Sequence, residues 1–380
     1  MNQQGQSSLD QENHIRIRSY MLTETEEKII RFAKNPAQGP KIAVIGGGTG
    51  LSTVLRGLKL FSNHLSAIVT VADNGGSSGM LREDLGILPP GDIRNCILAL
   101  ADTEPLMDEL LNYRFSDGRL KGQSFGNLFI AAMNAISDNF YDAVRNVSKV
   151  LAVKGRVLPV SLQDVQISAF LSDGGIINGE WAIGNRPVDP DQQIVAITMQ
   201  PADAAALPEA IQALATADVI VLGPGSLYTS IIPNLLFADI RQAIRRSQAI
   251  KVYVCNLMTQ PAETLGYTAA QHLQALLKHF GQDTTEGFID YCVVNNAWVD
   301  RCEIARYKLE SATPVLAERR SIEMLGARQV DAPLAIINNG VIRHDHMLLA
   351  RVILRLLLEH VSRQPLFGEQ PSQEVSRNKP

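Results

Sequence analysis

Short, unbroken apolar runs recur along this chain, and each ends in a loop rich in glycine, serine or asparagine. Four of them are "IAVIGGG" from Ile42, "AIVTVADNGG" from Ala67, "VIVLGPGS" from Val219 and "VYVCN" from Val252. A strand that is apolar at every position is buried on both faces. That pattern belongs to a parallel sheet covered by helices, not to an antiparallel sheet with one wet face. Helix-like segments separate the runs: "GLSTVLRGLKLF", "DIRNCILALAD", "GNLFIAAMNAIS", residues 232–246, "YTAAQHLQALLKHF" and "HMLLARVILRLLLEH". The alternation predicts an α/β fold, a Rossmann-like doubly wound, mostly parallel sheet. Near 156–200, "RVLPVSLQDVQISAFLSDGGIINGEWAI" alternates apolar and polar residues around a turn at Asp173-Gly174-Gly175. This stretch predicts a small β-rich antiparallel insertion. "PLAIINNGVIRHD" predicts a short strand pair.

The ends of the chain have a different composition. Residues 1–40 are expected to form an extension, disordered over 1–13, with one helix over 22–34 before the break "NPAQGP". Residues 41–367 are expected to form a single domain, and 368–380 a disordered tail. The 35 basic and 39 acidic residues give a net charge of −4, which offers no electrostatic footprint for nucleic acid. The four cysteines form no CxxC pair, so neither a zinc cluster nor a disulfide framework is expected. The N-terminus lacks the apolar core of a signal peptide, and no run approaches the ~20 residues of a bilayer span. A cytoplasmic protein is expected.

Polar loops that follow buried strands are the candidate site, because ligands of such sheets bind beyond the carboxyl ends of the strands. "IGGGTGLS" (45–52) lets backbone N–H groups approach an anion at Gly46 and Gly48. It lacks both the GxGxxG spacing and a Walker lysine. "DNGGSSG" places Asp73 at its mouth, with Asn74, Gly75, Gly76, Ser77 and Ser78 as a phosphate cradle. Asp92 opens the following helix as an expected N-cap, and with Asp73 it is a tentative Mg2+ pair. Arg94, one turn on, can face an anion. "LGPGSLYTS" contributes Gly223, Gly225, Ser226 and Tyr228. "NLMTQ" contributes Asn256, Thr259 and Gln260, and "SFGNL" contributes Asn127. His344 and His346 flank Asp345, but no third metal ligand is in view, so Asp345 is expected as a helix cap. No nucleophile–base pair is visible. If the chain is an enzyme, positioning and electrostatics on a phosphate group suit it better than covalent catalysis.

Taken together, "KIAVIGGGTGLS", "TVADNGGSSG", "LPPGDIRN", "SFGNLF", "KGRVLP", "LGPGSLYTSIIPNLL", "NLMTQPAETLGYT" and "DHMLLA" resemble the gluconeogenesis factor family. That family is a branch of the superfamily named for 2-phospho-L-lactate transferase. The resemblance runs over roughly 41–355. It implies a Rossmann-like fold, a cytoplasmic bacterial protein and a role in cell shape on gluconeogenic carbon sources. It also implies binding of UDP-sugars, UDP-N-acetylglucosamine in particular. Carried over by motif, Gly46, Gly47, Gly48 and Thr49 would face the nucleotide. Asp73 and Asp92 match the carboxylates of the transferase metal site, and Tyr267 and Arg306 match positions near the sugar nucleotide. Two departures stand out: Asn74 where the family often carries aspartate, and Ala262 where it often carries glycine. Asn74 removes a charge from the metal-phosphate loop and weighs against transfer more than against ligand binding. The leading expectation is a sugar-nucleotide-binding regulator. The alternative is a Mg2+-dependent transferase moving a phosphate-linked group from a nucleoside diphosphate to a hydroxyl, and a plain NAD dehydrogenase comes third. A homodimer is a candidate arrangement, though no residue pattern marks its interface.

Overall fold

The computed structural model describes residues 23–102, 105–338 and 340–363. The expectations of disorder at 1–13 and 368–380, and Leu22 of the first helix, lie outside these residues. That helix spans Glu24–Lys34 and starts at a capping box, in which the Thr23 hydroxyl accepts from the Glu26 N–H while the Glu26 carboxylate accepts from the Thr23 N–H.

Twelve strands follow: β1 (Ile42–Gly46), β2 (Leu65–Val69), β3 (Arg156–Pro159), β4 (Gln166–Leu171), β5 (Ile176–Asn178), β6 (Ile194–Gln200), β7 (Val219–Leu222), β8 (Ile250–Val254), β9 (Tyr291–Asn295), β10 (Arg328–Ala332), β11 (Ala335–Asn338) and β12 (Val341–His344). Seven of them form one sheet in the order β10-β9-β8-β7-β1-β2-β3. Every neighbouring pair in it is parallel. The runs that suggested a two-sided core are buried throughout in β1, β2, β7 and β8. Each fully buried valine, leucine or isoleucine there stabilises the fold by ~1.5–3 kcal/mol. Helices cover both faces, and two of them approach closely. A Cβ on Gly57 would stand 1.9 Å from the His346 carbonyl oxygen, so the helices Gly48–Leu58 and His346–Arg363 can touch only because residue 57 has no side chain. The expected α/β architecture is therefore what the chain adopts.

Three local expectations need correction. "RVLP", expected within the insertion, is β3 of the large sheet, paired with β2. Its consecutive apolar residues Val157 and Leu158 are both buried, which suits a covered parallel strand. The antiparallel unit is β5-β4-β6 and starts at Gln166. "DNGGSSG" is not all loop, because the helix Gly76–Leu85 begins inside it. The ladder of β2 stops at Val69, although Thr70, Val71 and Ala72 stay buried. The helices Pro105–Asn112 and Phe140–Val150 and the strand β10 were not anticipated. The hairpin β11–β12 matches the expected strand pair, and Asp345 caps the last helix by accepting from the Leu348 N–H at 2.9 Å. Among the described residues no helix is long and apolar enough to cross a membrane.

Candidate functional site

The chain moves outward from β1 through β2 to β3, then restarts at β7 on the other side of β1 and moves outward through β8, β9 and β10. The reversal lies between β1 and β7. The loops leaving these two strands diverge there, which opens a crevice at their carboxyl ends.

The first wall is the glycine loop after β1. The helix Gly48–Leu58 has Gly47 at its cap position and no side-chain cap bond. Its leading N–H groups are thus largely left for other acceptors, and the positive end of its dipole faces the crevice. Gly47 is extended and crowded: a Cβ there would meet the Asp92 Oδ2 at 2.5 Å and the Thr70 Cγ2 at 2.9 Å. The second wall is the loop after β7. Gly223 turns it at φ +73, and a side-chain relay holds it. The Gly225 N–H donates to the Asn256 Oδ1 at 3.2 Å, the Asn256 amide to the Gln260 Oε1 at 3.3 Å, and the Gln260 amide to the Ser226 Oγ at 2.7 Å. The two walls touch at Gly50, where a Cβ would lie 2.3 Å from the Pro224 carbonyl oxygen.

Together they enclose a cavity of about 230 Å³. Gly47, Gly48, Thr49, Gly225, Ser226, Asn256 and Gln260, all singled out from the sequence, line it. So do Gly50, Pro224, Tyr307 and Arg343, which were not, and His344, which the sequence raised only as half of a metal-like pair. The hairpin β11–β12 folds over the crevice and brings the last two. The Arg343 Nη1 donates to the Thr49 Oγ1 at 3.3 Å. His344 is buried against the Cys255 carbonyl oxygen at 3.2 Å, and burial pushes its imidazole down to about 4, so it is neutral near pH 7. Tyr307 accepts from the Ile342 N–H at 2.9 Å and thereby ties the helix Arg301–Leu309 to the hairpin.

Acidic groups gather beside the glycine loop. Asp73 turns on itself, its Oδ1 accepting from the Gly75 N–H at 2.8 Å. Asp92 is not an N-cap: the helix Gly91–Leu100 has Pro90 at the cap position and no side-chain cap bond. The Gly48 N–H beside Asp92 holds its carboxyl down, but burial and then the Asp73 charge push it up to about 6. The physical reason is competition, since an orphan N–H of the neighbouring helix lies within reach. Glu180, from the short helix Glu180–Gly184 of the insertion, shares a hydrogen bond with Asp73. Burial first, then Asp73, Asp92 and Glu263, push it up to about 8. Glu263 is buried under the β7 loop, accepting from the Tyr228 N–H and the Thr229 hydroxyl, both at 2.8 Å, and burial raises it. Among the described residues no group of three or more His, Cys, Asp or Glu is placed to hold a metal ion.

The remaining sequence candidates serve the scaffold. Ser77 and Ser78 are buried. The Ser77 hydroxyl donates to Gln123 and accepts from the Ser124 N–H and the Asn127 amide, while Ser78 accepts from the Gly91 N–H. Gly46 closes β1, and Gly76, at φ +48 with open space around it, begins its helix. Asn74 accepts from the Trp181 N–H at 2.8 Å and so holds the insertion helix. Arg94 spends its guanidinium on Ser124 and Asn95, leaving its buried Nε without a partner. Tyr228 is buried with its hydroxyl on Tyr267 and the Ile194 carbonyl, and Thr259 pairs with Thr313. Arg306 is exposed, paired with Glu303 one residue before the cavity-lining Tyr307. Arg343 and Glu180 carry no local signal, because each reaches the site from a segment remote in sequence.

Known proteins resemble this chain over most of its length. The family model for 2-phospho-L-lactate transferase CofD matches residues 42–335. A protein of Thermoanaerobacterium thermosulfurigenes named "Putative gluconeogenesis factor" is 53% identical over 319 residues, which is 84% of this chain and 97% of that one. The gluconeogenesis factor of Bacillus subtilis is 46% identical over 85% of this chain and 99% of its own. A crystal structure of a UPF0052 family member from Bacillus halodurans superposes with a TM-score of 0.79 at 43% identity, covering 83% of this chain and 99% of that one. The fold, the matched span and these relatives lead to one conclusion: the chain belongs to the 2-phospho-L-lactate transferase CofD family, among the gluconeogenesis factors.

Proposed function

We propose that the crevice between β1 and β7 binds a nucleoside-diphosphate sugar of the UDP-N-acetylglucosamine kind, and that the chain acts as a regulator that reads this ligand. The carrying observation is the contact at Gly50 between two glycine loops, one of them an uncapped helix start, around a single cavity. Free N–H groups at a helix start favour an anion, and the Arg343 guanidinium lines the same cavity. The amides and hydroxyls of Asn256, Gln260 and Ser226 suit uncharged hydroxyl and carbonyl groups. The relatives' names favour a role on gluconeogenic carbon sources. A link to cell shape, a cytoplasmic location and a dimeric state are part of the same proposal.

The acidic group beside the cavity favours a second reading, Mg2+-dependent transfer from a nucleoside diphosphate. The donor set fits the ion: Mg2+ takes one or two carboxylates and fills its shell with phosphate oxygens and water. Asp73 and Asp92 would hold it, and it would neutralise charge on a leaving diphosphate. Asn74 supplies no carboxylate to that set, and its amide oxygen is engaged by the insertion helix.

Calorimetric titration with UDP-N-acetylglucosamine, GDP and NAD, each with and without Mg2+, tests the proposal. Metal-independent UDP-sugar binding without turnover is the expected result. Mg2+-dependent consumption of a nucleotide-linked donor would replace it with the transferase reading, and tight binding of NAD alone would replace both.

A further inference from the structure

A second cavity, of about 330 Å³, lies further along the helix Gly48–Leu58, against Thr49, Ser52, Thr53 and Arg56. It shares Thr49, Thr53, Arg343 and His344 with the first cavity, and otherwise it is separate. Arg56 projects into it from the helix, Arg343 from the hairpin and His346 from the start of the last helix, with Asn95 and Asn112 opposite. Among the described residues no carboxylate lines it. Among the described residues neither Arg56 nor Arg343 forms a salt bridge. The polar contact of Arg343 is the long one to Thr49.

Two guanidinium groups on different walls of this cavity, both without a carboxylate partner among the described residues, leave positive charge that an anion would balance. Donors that converge from several directions suit a tetrahedral anion better than a planar carboxylate, which one arginine can hold from one side. The volume has room for a phosphate group carrying a few carbons. We propose that this cavity is a second ligand site, for a small phosphorylated metabolite, distinct from the nucleotide crevice. Arg343 and Thr49 belong to both sites, so an occupant that draws Arg343 away from Thr49 changes the first cavity's wall. Any resulting change of affinity is reciprocal between the two ligands. The site stands on its own lining and does not depend on which nucleotide, if any, fills the crevice.

The test uses the full chain, with inorganic phosphate and glycerol phosphate as calorimetric probes. Arg56 and His346 line the second cavity alone, and Asn256 lines the first alone. Saturable binding is expected for the wild type. Arg56→Gln should weaken it roughly ten- to hundredfold, the effect of losing one charge-assisted contact. His346→Gln should weaken it less, and Asn256→Ala should leave it unchanged. Arg56 is exposed and forms no salt bridge among the described residues, so its replacement leaves the fold intact, which melting curves check. Absence of saturable binding, equal affinity in Arg56→Gln, or a loss with Asn256→Ala matching that with Arg56→Gln would each overturn the assignment.

Discussion

Replacing Gly50 with alanine tests whether close contact between the two glycine loops builds the binding cavity. The added methyl would sit 2.3 Å from the Pro224 carbonyl oxygen, 2.7 Å from its carbon and 3.1 Å from the Gly225 Cα, all of them backbone atoms. Ordinary contact at the nearest of these requires the walls to part by about 1 Å, twice the ~0.5 Å tolerance of a preorganised site. Two effects on stability oppose each other. Alanine favours the helix by ~0.5–1 kcal/mol over glycine, while overpacking costs ~1–3 kcal/mol. The net loss should stay within ~2 kcal/mol, a fraction of a typical domain's stability. Ligand binding has no such offset, because the N–H groups and the Gly225 loop would no longer face one ligand at bonding distance. Losing one charge-assisted contact weakens binding roughly tenfold or more. Urea unfolding and calorimetric titration with UDP-N-acetylglucosamine separate the two effects. Gly281→Ala is the control: that residue has φ +83 at the end of the helix Ala269–Phe280, with open space around it and far from the crevice in sequence. It should destabilise the protein by ~1–2 kcal/mol through backbone strain alone and leave affinity unchanged. A folded Gly50→Ala protein with wild-type affinity would refute the reasoning.

Three further outcomes follow from the same geometry. The Asp92 carboxyl rises from an ordinary 3.8 to about 6, so the folded state holds this proton more tightly than the unfolded chain. The stabilisation is fully present below pH 3.8 and is lost as pH rises through about 6. Asp92→Asn should therefore match the wild type at the acid end and exceed it by up to ~3 kcal/mol at pH 8, measured by urea unfolding across the range; equal stability at pH 8 would count against the clustering of acids. Asn74→Ala removes the acceptor for the Trp181 N–H and should cost ~1 kcal/mol, with faster amide exchange confined to the insertion helix; uniform protection there would show that Asn74 does not hold it. Tyr228→Phe deletes a buried hydroxyl shared with Tyr267 and the Ile194 carbonyl. It should cost ~1 kcal/mol or somewhat more without altering UDP-sugar affinity, and a selective loss of affinity would return Tyr228 to the site.

The large sheet was legible because its signal is local. A run such as "IAVI" or "VIVL" is apolar at every position, and the structure buries every position. The position of the crevice followed from the same runs, since each loop after a strand lies at the carboxyl edge. What failed to show was anything decided by a distant segment. Glycines and serines are poor helix formers, so "GGSSG" suggests a loop. Yet Ser77 and Ser78 bond to Gln123, Ser124, Asn127 and Gly91, and these tertiary partners carry the first turn of the helix. Asp92 has a capping residue's composition and position, but the Gly48 N–H attracts its carboxylate away from its own helix. Arg343 and Glu180 reach the site through a hairpin and an insertion whose docking no periodicity encodes.

The acidic group sharpens the choice between a binding site and a catalytic one. Burial first, and then the charges of Asp73, Asp92 and Glu263, push Glu180 up to about 8. Near pH 7 Glu180 is then mostly protonated and can donate its proton to Asp73, which lowers the local charge without a metal. A cation that arrives at Asp73 and Asp92 must compete with that proton, so metal uptake should release protons and strengthen as pH rises through about 8. A phosphate that arrives at the Gly48 N–H instead meets the Asp92 carboxylate beside it. Metal-free binding of a diphosphate therefore brings its charge toward these carboxylates and should weaken as pH rises, whereas metal-assisted binding should strengthen. The sign of the pH dependence, measured by titration with and without Mg2+, distinguishes the two modes. A regulator that binds its ligand without metal must show the first sign, and a Mg2+-dependent transferase the second.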